Sequence, residues 1–507
     1  MNQRRDNILA LPDGDARTAA LVPKGLPFCR RQRGAIAIVF CLMLAVLIGF
    51  IGVALDLSRV YNRRIELQGI ANAAALAAAG QLNGTTSGID NALLKASAAI
   101  SLLKFQYNQS AITWDSAALS FSASPDGGWV DAATAQGAPD GLLYVRVDTD
   151  RLGASMGTIE LIFMRVIADS LVSADASVVS VAGRSTIDVT PLAVCALSNA
   201  EATSRANPGP PANAELVQYG FRRGVAYDLM KLNPNSTTAE NFVVDPFSLP
   251  GTSGVLSNVS PAFVGPYVCT GQLGIPRVRG GTITVGRPFP LASLYNQLNS
   301  RFDQYSGSFC SHSNAPPDVN IKSYVSGTAT PWMGATPAGQ GAQTTTVEGK
   351  LWTVADPSVK PAGTTAAMYG PLWAYARAVP YSSYVAGATE PVAGYAAFTT
   401  SAWSTLYGPA APAATGTYHS GTSMPYKATI GSTVLAPSSA HKGIANRRVL
   451  NIALLSCPVD PGALAAANVL AIGKFLMTVP ATATSLYAEF GGLVADQYLG
   501  GAVELYP

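Results

Sequence analysis

The sequence predicts an α+β protein in which a single N-terminal transmembrane helix continues into a long helix and is followed by a β-rich, loop-rich domain. Three observations predict it. The run Gly34 to Leu55, GAIAIVFCLMLAVLIGFIGVAL, carries no charged residue. The stretch after it, LSRVYNRRIELQGIANAAALAAAGQL, has no proline and is rich in alanine and leucine. Most of the remaining chain is divided by glycine and proline, 48 and 34 residues in all, into short segments with few long apolar runs.

The apolar run is long enough to cross a hydrocarbon core of about 30 Å as a helix, because every backbone amide is then satisfied inside the segment. Arg30, Arg31 and Arg33 flank it on one side, Asp56 and Arg59 on the other. Arg17, Lys24, Arg30, Arg31 and Arg33 precede the span and Arg59, Arg63 and Arg64 follow it, so the excess of cations places the N-terminus in the cytoplasm. A cleaved secretory signal has an apolar stretch of roughly 7 to 15 residues with a small-residue site just beyond. Here the stretch is longer and ends at Asp56, which favours a retained anchor.

Beyond the span, Leu57, Val60, Tyr61, Ile65, Gln68 and Asn72 recur at near-helical spacing, so the helix is expected to run to about Leu82, where Asn83 and Gly84 stop it. At 1.5 Å per residue such a helix is about 73 Å long. Its alanine-rich surface needs a closely packed partner. A second helix is expected at Ile89–Tyr107, strands at Ala117–Ala123 and Leu142–Val147, and a third helix at Thr158–Leu171. SADASVVSVAGRSTIDV then alternates like half-buried strand, VLNIALL after Arg448 reads as a buried strand, and Val469–Met477 as helix or strand. Leu291–Gln304 reads as a helix. Residues 327–439 are the least legible, although Trp332, Trp352, Trp373 and Trp403 argue against full disorder there.

Charged residues make up only 12% of the 507, and the net charge is +3. The cations outside the N-terminus are scattered, so there is no electrostatic footprint for nucleic acid. Of the six cysteines, Cys29 lies in the N-terminal tail and Cys41 in the span, which leaves Cys195, Cys269, Cys310 and Cys457 on the far side. An even number in an oxidising compartment reads as two disulfides with three possible connectivities. Cys195 with Cys457 is favoured, since each ends an apolar run, and Cys269 with Cys310 would then be the second pair. Zinc sites use closer spacings.

Catalytic signals are sparse, and no catalytic, cofactor-binding or metal-binding residue is assigned. The three histidines, His312, His419 and His441, lie in no helical metal pattern, and no GxSxG elbow occurs. His419 beside Ser420 is the nearest approach to a base and nucleophile, and adjacent residues rarely make that hydrogen bond. Asp188 and Thr190 in DVTPL hint at a metal-dependent adhesion motif, but its second hydroxyl position is Leu192. The Arg301–Asp303 triplet reads as a helix-end ion pair, and Tyr219, Phe221 and Tyr227 as local core.

The segment Arg30 to Gly80 resembles the N-terminal module of TadG-like (TadE/TadG) proteins of the tight-adherence Flp pilus assembly system. The elements that carry the resemblance are the arginine cluster with Gly34 and Ala35, Gly49 and Gly52, the exit from Asp56 to Arg59, and the alanine tract. It extends more loosely through the helix expected near 158–171 and VVSVAGRS, and to the closing RRVLNIALLSC and YAEFGGLV. Val39 stands where pilins carry glutamate, which argues against prepilin-type processing after Gly34. The resemblance implies a non-enzymatic, membrane-anchored structural or assembly component of the pilus in the bacterial inner membrane, with the bulk of the chain periplasmic. It implies as partners the lipid bilayer, other pilus-assembly proteins and a second copy through the 56–82 helix, with no cofactor. The resulting layout is a cytoplasmic basic tail (1–33), a transmembrane helix (34–55), a pilin-like α+β TadG-like module (56–190) and a β-rich, disulfide-containing periplasmic domain (191–507). The alternative is a membrane-anchored periplasmic enzyme or ligand-binding domain.

Overall fold

A computed structural model describes residues 33–506 apart from 107–108, 140, 154–155, 208–212, 326–329, 331, 334–338, 357–364, 389, 392, 408–423 and 496–497. Cys29, Arg30, Arg31, His419 and the side chain of Arg33, singled out in the sequence, lie outside the described residues. A mixed α+β fold is found, with one long apolar N-terminal helix followed by a β-rich domain that has few helices. It divides into two compact units. One is Met1–Arg59 with Glu160–Ala174, and the other is Val60–Ile159 with Asp175–Pro507.

In the first unit, the helix α1 (Arg33–Ala79) begins with side chains that find little protein around them: Ile36, Phe40, Leu44, Leu47 and Phe50 are all exposed. The other part is Glu160–Ala174, which overlaps the helix expected at Thr158–Leu171. Instead it is a hairpin. Thr158–Glu160 pairs with Ser173–Asp175, and the one helical turn between them is Met164–Ile167. Ile159 and Leu161 are buried while most of the other apolar residues that suggested a helix are not, so no continuous helical face is packed and periodicity alone does not hold the segment helical. Ile162, Val166 and Ile167 stay exposed.

In the second unit, the later part of α1 packs its small side chains inward. Leu67, Ala71, Ala74, Ala75 and Ala78 share a core with Ala92, Ala96 and Ile100 of α2 (Thr86–Ser101) and with Phe121, Val145, Val147 and Ala182. The last four belong to an antiparallel sheet ordered Leu119–Ser122, Tyr144–Asp148, Val179–Arg184, Val503–Tyr506. The partner that the alanine tract requires is therefore supplied by the same chain. Thr85 caps α2, its hydroxyl accepting from the Gly88 amide at 3.2 Å. This helix ends at Ser101, earlier than its pattern predicts. Lys104–Phe105 pairs instead with Ser110–Ala111, and the guanidinium of Arg63 lies 5.0 Å from the Phe105 ring.

The larger sheet uses Ala226–Asp228, Tyr487–Val494, Leu464–Met477, Thr282–Gly286, Asn241–Val244, Leu192–Cys195 and Val449–Leu455 in that order. Val449–Leu455 also pairs with Leu464–Met477, so five of these strands close into a ring. All pairings are antiparallel except Val449–Leu455 with Leu192–Cys195. Alternation along the strands buries both faces: Ala193, Cys195, Phe242, Val244, Ala453 and Leu455 enter one core, while Leu192, Val194, Val243, Ile452 and Leu454 enter another. Val469–Met477, open to either reading in the sequence, is strand. Trp332, Trp373 and Trp403 are buried in the second of these cores, as are Tyr219, Phe221 and Tyr227.

Two buried carboxyls make this unit sensitive to pH. Glu489 is fully enclosed and accepts from the amides of Ala374, Tyr375 and Ala376 at 2.6, 2.8 and 2.8 Å. Burial pushes its pKa up to about 7 even though the three donors pull it down. Asp356 is likewise pushed up to about 7 by burial. An acid whose folded pKa lies above its unfolded value near 4 keeps in the fold a proton that the unfolded chain releases. Stability is then complete at low pH and falls as pH rises from about 4 to about 7, by on the order of 1 kcal/mol per pH unit for each group. The urea midpoint is expected to be higher at pH 5 than at pH 8, and E489Q is expected to halve that slope. Equal midpoints in the parent protein would contradict it.

Candidate functional site

The site with the most built geometry is the junction between the apolar helix and the hairpin, within the first unit. Asp56 stands one residue beyond the uncharged run, and its side chain is fully buried. Its Oδ1 accepts from the amide of Ile162 at 3.2 Å, and its Oδ2 from those of Phe163 and Met164 at 2.8 Å each. These amides open the hairpin's helical turn, where backbone donors have no partner within the turn. Arg59, one turn further along α1, reaches the carbonyl of Glu160 at 3.4 Å and lies 3.9 Å from Asp56.

Gly52 completes the junction. A Cβ at this position would lie 2.6 Å from the Cβ of Phe163, so only glycine lets the ring rest on the helix. Nothing in the sequence links position 56 to positions 162–164. An acid one step past an apolar run, with a glycine one turn before it, is the only local signal. Replacing Asp56 with alanine orphans three amides at once. The expected result of D56A is hydrogen exchange at residues 161–168 at least tenfold faster than in the parent, a loss of about 1.4 kcal/mol of local stability, with exchange in Tyr487–Val494 unchanged. Equal exchange at 161–168 would show that the clamp is not formed.

The remaining candidates lie in the second unit. Cys195 and Cys457 are joined, with their Cα atoms 5.6 Å apart, and Cys269 and Cys310 likewise at 5.4 Å. The first pair arises because Leu455 and Cys195 are partners on neighbouring parallel strands. Glu240 lies near both sulfurs of that pair, but sulfurs joined to each other are not thiolate ligands. Cys41 is a free, exposed thiol on the apolar helix. His312 stacks on His441 at 4.4 Å, and Nδ1 of His441 meets Oδ1 of Asp303 at 2.6 Å. No hydroxyl bonds to either ring among the described residues. Asp303 is therefore committed to His441, and Arg301, expected as its ion partner, is buried beside the carbonyl of Gln297. Asp188 accepts from Gln272 at 2.8 Å, and Leu192 is buried strand.

A cavity of about 770 Å³ also opens in this unit. Arg223 donates to Gln218 at 2.8 and 3.0 Å and to Glu390 at 2.9 Å, and its guanidinium lies 5.2 Å from the Tyr395 ring. Lys474 faces the same space, its pKa lowered by burial.

The apolar helix, its glycine, its acid and its alanine tract are contiguous in the chain, and this combination decides the comparison with known families. Residues 34–81 match the family model described as putative Flp pilus-assembly TadE/G-like. No curated protein and no solved structure matches the chain. The TadE/G-like segment begins with the uncharged run and ends two residues past α1, so it includes Gly52 and Asp56 and stops short of the hairpin they hold. It supports a role related to Flp pilus assembly, and the helix within it is long and apolar enough to cross a membrane.

Proposed function

We propose that this protein is a membrane-anchored structural component that helps assemble a Flp-type pilus or adhesion machine. It sits in the bacterial inner membrane with the N-terminus in the cytoplasm and the bulk of the chain in the periplasm, and it works by contact rather than by turnover. The observation that carries this reading is the coincidence of the TadE/G-like match with a helix whose large apolar side chains are exposed over five turns. Exposed Leu, Ile and Phe at that density are soluble only in lipid. Two disulfides on the far side of the span agree with an oxidising compartment.

Deletion of the gene in a pilus-forming cell is expected to abolish surface pili and adherence, with restoration by the intact gene. Pili at parental levels would refute the assembly role. Cysteines placed at Tyr61 and Ile65, both exposed on α1, are expected to cross-link to other pilus-assembly proteins or to a second copy. A second reading rests on the cavity around Arg223, Glu390 and Lys474, whose convergent charges suit a polar ligand. It predicts that R223A abolishes ligand-dependent thermal stabilisation while pili are still made.

A further inference from the structure

We infer that the hairpin Glu160–Ala174 is a second membrane contact, an apolar tip that dips into the interfacial layer of the same bilayer that α1 crosses. This rests on reading residues 34–55 as a span. Val166 is 85% exposed, Ile167 62% and Ile162 57%, and Phe163, Leu171 and Val172 are exposed as well. So dense a set of apolar side chains on one short hairpin marks an interaction surface rather than a solvated loop.

The level of the tip identifies what covers it. Asp56 holds the amides of residues 162–164, and Phe163 lies on Gly52, one helical turn towards the membrane from Asp56. Four residues at 1.5 Å each put that contact about 6 Å from Asp56, inside the uncharged run. The tip is therefore continuous with the lipid-facing surface of α1, and a protein partner there would itself have to lie in lipid. The backbone is also prepared for a medium without water. The Asp56 carboxylate satisfies three amides, Leu161 donates to Val172 at 2.9 Å, Val166 to Phe163 at 3.1 Å, Ala168 to Met164 at 3.1 Å and Leu171 to Ala168 at 2.9 Å. Exposed Arg165 and Asp169 limit the depth, because the arginine stem can lie along the acyl boundary while its head reaches the lipid phosphates.

The test uses the full chain in liposomes, with Cys29 replaced by serine and one thiol labelled with an environment-sensitive fluorophore. One sample carries the label on native Cys41, and another on V166C with Cys41 also replaced. Doxyl-labelled lipids quench from shallow or deep acyl positions. The expected result is that both samples float with the vesicles, that Cys41 is quenched several-fold, and that the Val166 label is blue-shifted and quenched several-fold by shallow doxyl lipid. If Cys41 is quenched while the Val166 label is quenched by iodide and not by doxyl, the hairpin is aqueous and the inference fails while the span stands. If neither is quenched by lipid, the span fails and the inference with it. A blue-shifted Val166 label that ignores doxyl lipid and reddens on dilution would assign the tip to a second copy, and would overturn lipid contact.

Discussion

Glu215→Ala is expected to destabilise the second unit by about 3–5 kcal/mol, the range for breaking a buried ion pair by removing one partner. Both Glu215 and Arg222 are completely enclosed. Arg222 donates through Nη2 to Glu215 at 2.7 Å and through Nε to both of its oxygens at 3.0 Å, and its guanidinium lies 4.8 Å from the ring of Tyr407. The remaining Nη2 contact goes to the carbonyl of Leu406 at 2.9 Å, and Asn207 donates to Glu215 at 3.1 Å. Alanine at 215 leaves an arginine charge in the core with a carbonyl and a ring for company. The mutual attraction no longer offsets its dehydration. Urea unfolding of the full chain in detergent, followed by tryptophan fluorescence, checks this. A loss below about 1 kcal/mol would mean that water reaches the pair, since exposed pairs have that magnitude. Replacing both residues with apolar side chains is expected to recover most of the loss.

The second large effect concerns the disulfides. Removing the Cys195–Cys457 bond with paired serines is expected to cost about 2–5 kcal/mol, and more than removing Cys269–Cys310. The first closes a loop of 262 residues and the second one of 41. Loop-closure entropy scales with the logarithm of length, so the two should differ by about 1.6 kcal/mol at 25 °C. The position of the bonds points the same way. Cys195 is fully buried between paired strands of the ring, whereas Cys310 lies on a loop against the helix Pro261–Thr270. Unfolding midpoints of the two serine pairs give the order directly. A reversed order would show that residual structure in the unfolded chain, and not loop length, dominates.

Much of the fold was legible because its determinants are local. The uncharged run of 34–55 needs no tertiary information to be a helix for lipid, and an alternating or fully apolar run such as Val449–Leu455 announces a strand. The failures have a common cause. Thr158–Leu171 has the apolar spacing of a helix, yet the carboxylate of Asp56, about a hundred residues earlier, captures its amides. Ile89–Tyr107 loses its last turn to a strand pair and to Arg63. Charge was similarly opaque. With so few charged residues, composition gave no reason to expect Arg222, Arg301 and Arg448 among the largest fully enclosed side chains. Arg448 is held by the carbonyls of Asn320, Lys322 and Met477, all distant in the chain.

By itself the sequence determined a long helix with one end suited to lipid and the other to close packing, the TadE/G-like character of that helix, and four cysteines beyond it. Those properties follow from side-chain polarity and spacing along a single element. Tertiary structure alone decided that a distant hairpin folds onto Asp56 and Gly52, that five strands close a ring with Cys195 beside Leu455 on neighbouring strands, and that paired charges go inside. Each of these depends on which donors, carboxylates and strands meet in space, from seven residues apart for Glu215 and Arg222 to more than a hundred for Asp56 and the hairpin, and such pairings leave no periodic trace in the chain.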